Sequence, residues 1–360
     1  MNTTRALAIV SMLLLCAECA CSQAPSDPIP ANSVQAPGGW KSYAIELAYR
    51  VMGAEEGVVF WAQDQLVYPG QDAKLSVRFQ KARDFKGIEG IEAEFSDGKK
   101  VIGTAKSDKD GYATIQWKAP AKGEIPLTVK IKSIPSDMEK DVMTISPRNL
   151  LVVVRSRETE LAVLDLDHTV VASDFWKVLF GNAVPMVDSV RVTKMLAEKY
   201  TIVYLTQRPD LLSAKSKQWL IDNGFPTGVM LVGTLNDVIG GSGPYKKARL
   251  ASLKQNYPNI KLGIGDKSSD ASAYIDNGVT AYLIPNYNPN KLKDVTKLAD
   301  EIRALPDNGL LNVVGSWKEI EQSITQSRKY PPKAFIAALE SRAQELNRGK
   351  KPKAPENDDD

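Results

Sequence analysis

Beyond residue 21 the chain has no cysteine: Cys16, Cys19 and Cys21 are the only three in 360 residues. That removes thiolate nucleophiles, zinc-thiolate centres and internal disulfides from the body of the protein. Histidine is scarcer still. His168 stands alone, which excludes Ser-His-Asp triads, paired-His zinc sites and His-pair acid-base chemistry. No GxxxxGK[ST] phosphate loop is present, so ATP-dependent chemistry has no cradle. A net charge of +3 is too small for the concentrated basic face that duplex DNA or RNA requires, and no nucleic-acid partner is expected. Any catalysis must rest on carboxylates, hydroxyls, lysine or arginine. What remains, 43% hydrophobic and 25% charged, is the composition of a soluble globular chain with room for about two domains.

The first 20 residues read as an address. Arg5 precedes an apolar run from Ala6 to Leu15, followed by small residues. This is the three-part pattern of a secretory signal peptide, and the run is too short to span a bilayer. Ala20 before Cys21 resembles a bacterial lipoprotein cleavage point, although Glu18 is unusual three places before such a cysteine. Lipidation at Cys21 and ordinary cleavage both stand as readings, and either makes the protein exported, periplasmic or membrane-anchored. Residues 21–39 form a Pro, Ser and Ala rich tether.

Residues 40–57 carry Tyr43, Ile45, Leu47, Ala48 and Val51 among polar residues, a short amphipathic helix that packs on the next domain. Between 58 and 150 the period becomes two. Ala73, Leu75, Val77 and Phe79 alternate with polar residues, as do Ile91, Ala93 and Phe95, and then Leu127, Val129 and Ile131. Pro69-Gly70, Asp97-Gly98 and Asp110-Gly111 punctuate the runs. The pattern predicts an immunoglobulin-like antiparallel β-sandwich. It holds no titratable cluster, so it reads as a spacer or docking module, and the sequence names no protein partner for it.

From 151 to 305 apolar strands alternate with helical stretches, which implies a parallel sheet covered on both faces. Asn223-Gly224 and Asn277-Gly278 are helix stops, and Pro185 and Pro209 suit first turns of helices. Residues 306–348 supply two closing helices. The apolar stripe Phe335, Ile336, Leu339 and Leu346 on the last one suits packing better than a membrane surface. Residues 349–360 form a solvated tail, expected to be disordered.

The chemistry gathers at strand ends. In LAVLDLDHTVV an apolar strand runs into Asp165 and Asp167, which a period of two puts on one side with Leu166 on the other. Charged residues at the end of a buried strand are costly unless they bind something, and a cation could serve. TIVYL ends in Thr206, and IKLGI ends in Gly265-Asp266 with Asp270 four residues later. Lys246 opens the helix ahead of that last strand. In open parallel sheets, ligands bind outside the carboxyl ends of the strands.

These residues, DLDHT at 165–169, Thr206, Lys246 and GDKSSD at 265–270, resemble in order and spacing the four motifs of the haloacid dehalogenase (HAD) superfamily of phosphohydrolases. The stretch YLTQRPDLLSAKSKQWLIDNGFPTG with PYKKARL is similar to one branch, the lipin-type phosphatidate phosphatases and the C-terminal domain of phosphatidylinositol transfer proteins. The resemblance implies an α/β HAD-like sheet and a Mg²⁺-dependent enzyme. Asp165 would be the nucleophile and Asp167 the acid and base. Thr206 would hold a phosphoryl oxygen and Lys246 would offset charge on phosphate and nucleophile, with Lys247 as the substitute for Lys246. Asp165, the Asp167 carbonyl, Asp266 and Asp270 would surround the metal. His168 stands where the family usually has glycine. It reads either as a substrate contact or as a packed side chain; Arg208 reads either as a second anion contact or as a surface residue.

About 40 residues separate Asp165 from Thr206, and about 40 more lead to Lys246. That is barely enough for core elements and leaves no room for a large cap. An open site suits a bulky phosphorylated substrate, with phosphatidate or a related phospholipid first. The alternative is a non-catalytic HAD-fold module that binds anionic phospholipid or a partner protein. Relatives lacking the second aspartate can bind without hydrolysing, and Asp167 is present here.

Overall fold

The computed structural model describes residues 58–81, 86–98, 100–138, 145–172, 183–210, 213–233 and 242–348. The signal segment, Cys21, the tether, the helix expected at 40–57 and the tail at 349–360 lie outside the described residues.

The N-terminal region is a β-sandwich of two sheets. One has the order β1 (Val58–Ala62), β3 (Asp72–Lys81), β6 (Tyr112–Lys118). The other runs β2 (Gln65–Val67), β8 (Arg148–Val154), β7 (Gly123–Ser133), β4 (Glu92–Ser96), β5 (Val101–Lys106). Alternation puts Leu75, Val77 and Phe79 of β3 opposite Leu127 and Val129 of β7 in one apolar core. The one departure from an antiparallel arrangement is the β2–β8 pair, which is parallel. It arises because the first strand breaks at Gln63-Asp64 and the chain changes sheets there.

A six-stranded parallel sheet follows, in the order β11 (Val229–Gly233), β10 (Thr201–Pro209), β9 (Leu161–Leu164), β12 (Ile260–Gly265), β13 (Thr280–Leu283), β14 (Leu311–Val313). Its helices are α1 (Ser189–Lys199), α2 (Ser213–Asp222), α3 (Ser242–Asn256), α4 (Ser268–Asp276), α5 (Leu292–Arg303), α6 (Trp317–Gln326) and α7 (Pro332–Arg348). The fold class is therefore an α/β parallel sheet of HAD-like kind preceded by a β-sandwich. By compactness the chain divides in two. One unit takes the sandwich through Arg157 together with Arg208–Leu235, and the other takes Glu158–Ser173, Val184–Gln207 and everything from Asn236 onward.

Both Asn-Gly signals end helices: α2 and α4 stop at Asp222 and Asp276, and Gly224 and Gly278 hold positive φ. The two prolines behave otherwise. Pro209 closes strand β10 and Pro185 bridges Val171, so neither begins a helix. A proline without an N–H is tolerated at a strand's last residue as readily as in a first turn. Helix α7 packs on its own domain: Leu339 is buried, Phe335 meets the Tyr287 ring edge-on at 6.4 Å, and Glu340 pairs with Arg303 at 2.7 Å. No helix among the described residues is long and apolar enough to cross a membrane.

Candidate active site

Strand β9 sits between β10 and β12, and the chain leaves β9 toward β10 but leaves β12 toward β13, a divergence that opens a crevice at the carboxyl ends of these two neighbours. Register then brings distant residues level. Leu164 lies opposite Tyr204 on β10 and Ile264 on β12, and the Asp165 N–H donates to the Ile264 carbonyl at 2.9 Å. Asp165 and Asp266 therefore follow the last residues of β9 and β12 at the same sheet end, and Thr206, two residues beyond Tyr204 on β10, comes close to their level.

After Asp165 the chain turns sharply. The N–H groups of Thr169, Val170 and Val171 all converge on the Leu166 carbonyl. The turn forces His168 into the left-handed region, φ 55°, which explains why glycine suits this place and makes the histidine a strained substitute. The Thr169 hydroxyl donates to Asp165 Oδ2 at 3.5 Å, and its carbonyl accepts the buried Trp317 indole N–H at 2.9 Å, so α6 pins the turn. Asp167 and His168 are half-buried.

Lys246, on the second turn of α3, is buried and donates to Asp165 Oδ1 and to Asp270 Oδ1, both at 2.8 Å. Lys247 is exposed and pairs with Asp276 instead, which separates the two lysines. Asp165, Asp266 and Asp270 are all buried, and each offers one oxygen within 4.8 Å of the others'. Among the described residues, Asp266 Oδ1 and Asp270 Oδ2 have no hydrogen-bond partner.

The electrostatics follow from this crowding. Burial raises the Asp165 carboxyl above its usual range, Lys246 opposes that, and Asp270 and Asp167 add to it. Burial, then Asp165 and Asp270, raise Asp266 as well. Burial disfavours the Lys246 charge, yet Asp165 and Asp270 outweigh it and hold the ammonium above the ordinary lysine range. Three buried carboxylates against one ammonium leave excess negative charge and two orphaned oxygens. An all-oxygen donor set of this kind fits a hard divalent cation such as Mg²⁺.

Tyr274 lies outside the motifs, and the role of Gly265 within its motif is steric. Tyr274 is buried and donates to the Ile264 carbonyl at 3.2 Å, and a Cβ on Gly263 would strike its ring at 2.2 Å. Gly265 lets Asp270 close in, since a Cβ there would meet Asp270 Cβ at 2.7 Å. Glycines inside an apolar strand were the readable signal, because they mark close approach. Thr206 is buried inside β10 and does not end it, because the strand runs three residues further, to Pro209. Arg208, two residues on, falls in the other compact unit, where it is buried and donates to Ser216 Oγ at 2.8 Å.

Comparison with known proteins agrees with the class of this domain. Residues 162–284 match the family model described as PITM 1-3, LNS2 domain. This supports a HAD-like LNS2 domain over about a third of the chain. No curated protein matches the chain. Among solved structures, the Pnkp1/Rnl/Hen1 RNA repair complex shows 14% identity over 36% of this chain and 44% of that one, with a TM-score of 0.31. A chimeric titin Z1Z2-Z1Z2 tandem shows 15% identity over 28% and 51%, TM-score 0.20. The D0-D1 domain of intimin shows 12% over 30% and 58%, also 0.20. The chain thus spans about half the length of these three, and scores this low carry no argument about fold or activity.

Proposed function

We propose that the protein is a Mg²⁺-dependent phosphomonoester hydrolase. The observation that carries this reading is the convergence of Asp165, Lys246, Asp266 and Asp270 at one sheet edge, with two carboxylate oxygens left for a cation. Asp165, Asp266 and Asp270 would hold the metal with the Asp167 carbonyl. A bound Mg²⁺ would offset charge on the carboxylates and on the phosphoryl oxygens.

Asp165 attacks phosphorus, the ester P–O bond breaks, and the leaving oxygen takes the proton of Asp167. The products of this half are an alcohol and an aspartyl-phosphate. Water then attacks that phosphorus, Asp167 takes its proton, and the aspartyl P–O bond breaks to release inorganic phosphate. Lys246 keeps Asp165 ionised against its burial, and Thr206 holds a phosphoryl oxygen. The half-buried His168 contacts the substrate beside Asp167.

The test is phosphate release from p-nitrophenyl phosphate with and without Mg²⁺, comparing wild type with Asp165→Asn. Equal background in the two proteins overturns hydrolysis in favour of a binding module. For the substrate we favour phosphatidate or a related phospholipid. Support comes from the LNS2-type match at 162–284 and the short spacing between motifs. Export and a lipid on Cys21 would place the enzyme at a membrane surface. Cleavage of soluble phosphomonoesters with phosphatidate vesicles left intact refutes this choice and spares the phosphatase.

A further inference from the structure

Asp64 lies far from the candidate active site in sequence and belongs to none of its motifs, yet it is among the most heavily engaged carboxylates described. It sits at the point where the first strand of the sandwich breaks and the chain passes from one sheet to the other, between β1 and β2. Its side chain is buried. Oδ1 accepts the Leu151 N–H of β8 at 2.7 Å and the Lys217 ammonium of α2 at 2.5 Å, and Oδ2 accepts the Met230 N–H of β11 at 3.1 Å. Lys217 also donates to the Asn149 carbonyl at 3.4 Å.

These donors come from two places. Leu151 belongs to the sandwich, whereas Lys217 and Met230 belong to the segment 208–235, which follows Thr206 and carries α2 and β11. The two stretches form one compact unit. β11 is the edge strand of the six-stranded sheet. An edge strand carries unpaired N–H groups that are costly to bury and prone to stray pairing. Asp64 takes one of them, and its charge is matched by an ammonium reaching from the adjoining helix. A carboxylate with two backbone donors and one ammonium meets the condition under which a buried charge is tolerated.

We propose that the β-sandwich is neither a spacer nor a docking arm for another protein: its partner is the α2–β11 segment of its own chain, and Asp64 is the fastening between them. Within that unit, the part of the sandwich around Asp64 is occupied by the α2–β11 segment. The inference goes beyond the phosphatase reading and does not depend on it.

The test is amide hydrogen exchange on the full-length chain, comparing wild type with Asp64→Ala. The expected result is exchange at least tenfold faster at Met230, Leu151 and across α2, with the β9 and β12 amides unchanged. Unchanged exchange at Met230 and α2 overturns the proposal. A uniform rise over every strand also overturns it, because that would be global destabilisation. Should Asp64→Ala fail to fold, Lys217→Met leaves both backbone bonds to Asp64 in place and is expected to loosen α2 alone. In a double-mutant cycle with Asp64→Asn, the joint loss of stability is expected to be smaller than the two single losses added. Additive losses would count against the fastening. None of these readouts requires turnover, so a failed phosphatase assay leaves them decisive.

Discussion

Replacing Lys246 with methionine removes the one cation that, among the described residues, pairs with Asp165 and Asp270, while keeping most of the side chain's bulk. In the wild type both contacts are 2.8 Å long and all three groups are buried. Removing one partner of a buried ion pair costs about 3–5 kcal/mol, because the remaining charge is left uncompensated. Protonation sets a second, independent scale. Keeping one carboxyl of ordinary acidity neutral at pH 7 costs about 4 kcal/mol, so the variant has little reason to lose much more. The sign with pH follows from Asp165 and Asp266, whose carboxyls burial raises above the ordinary range. Carboxyls raised in the folded state bind protons that the unfolded chain does not, so their penalty is full above the raised value and disappears as pH falls through the ordinary carboxylate range. The gap between Lys246→Met and wild type is therefore expected to be largest near pH 8 and to shrink by up to about 1.4 kcal/mol per pH unit toward pH 5. Urea unfolding in the presence of EDTA at several pH values measures it. A loss below about 1 kcal/mol at pH 8, or one that grows as pH falls, would refute a buried Lys246 held between carboxylates.

Other outcomes follow from single positions. Asp165→Asn is expected to lower turnover of p-nitrophenyl phosphate by on the order of 10³ or more while folding normally, as removal of a nucleophile does. His168→Gly relieves the left-handed backbone and should hold stability within about 1 kcal/mol of wild type, whereas His168→Val should lose about 1–2 kcal/mol; equal melting of the two would show that the turn is unstrained. Gly265→Ala drives a Cβ into Asp270. It should cost about 1–3 kcal/mol and abolish any thermal stabilisation by Mg²⁺, and an unaltered Mg²⁺ response would show that Asp270 is not part of the site.

Much of this was legible because chemistry and pattern coincide at strand ends. The alternation in β3, β4 and β7 announced the sandwich face by face, and the apolar run before Asp165 announced a central parallel strand. What the sequence did not show depended on contacts between distant segments. Lys246 and Lys247 are equivalent in a one-dimensional reading; only the phase of α3 against β9 turns one inward and sends the other to Asp276. Pro209 fits the end of a strand and the start of a helix equally well until the length of β10 is known. Strand β14 is too short to show a period, with three residues, Leu311–Val313. Asp64 was invisible for a deeper reason: a lone aspartate in a polar turn carries no motif, and its importance comes from donors 87 to 166 residues away.

The charge balance of the site makes its own demand on the fold. Asp165, Asp266 and Asp270 sit together out of water, and Lys246 neutralises only part of their charge. Such an arrangement weakens the empty protein, since each unpaired buried carboxylate oxygen lacks what water would have given it. Asp266 Oδ1 and Asp270 Oδ2 are in that condition. A cation that binds only the folded site recovers this loss as stability. At a concentration a hundredfold above its dissociation constant the gain is about 2.7 kcal/mol. Thermal unfolding in Mg²⁺ against EDTA should show a raised midpoint in wild type and a smaller rise in Asp266→Asn, whether or not any substrate is turned over. Identical midpoints for wild type in the two buffers would mean that the carboxylates share protons instead of a metal, and the catalytic reading would lose its electrostatic basis.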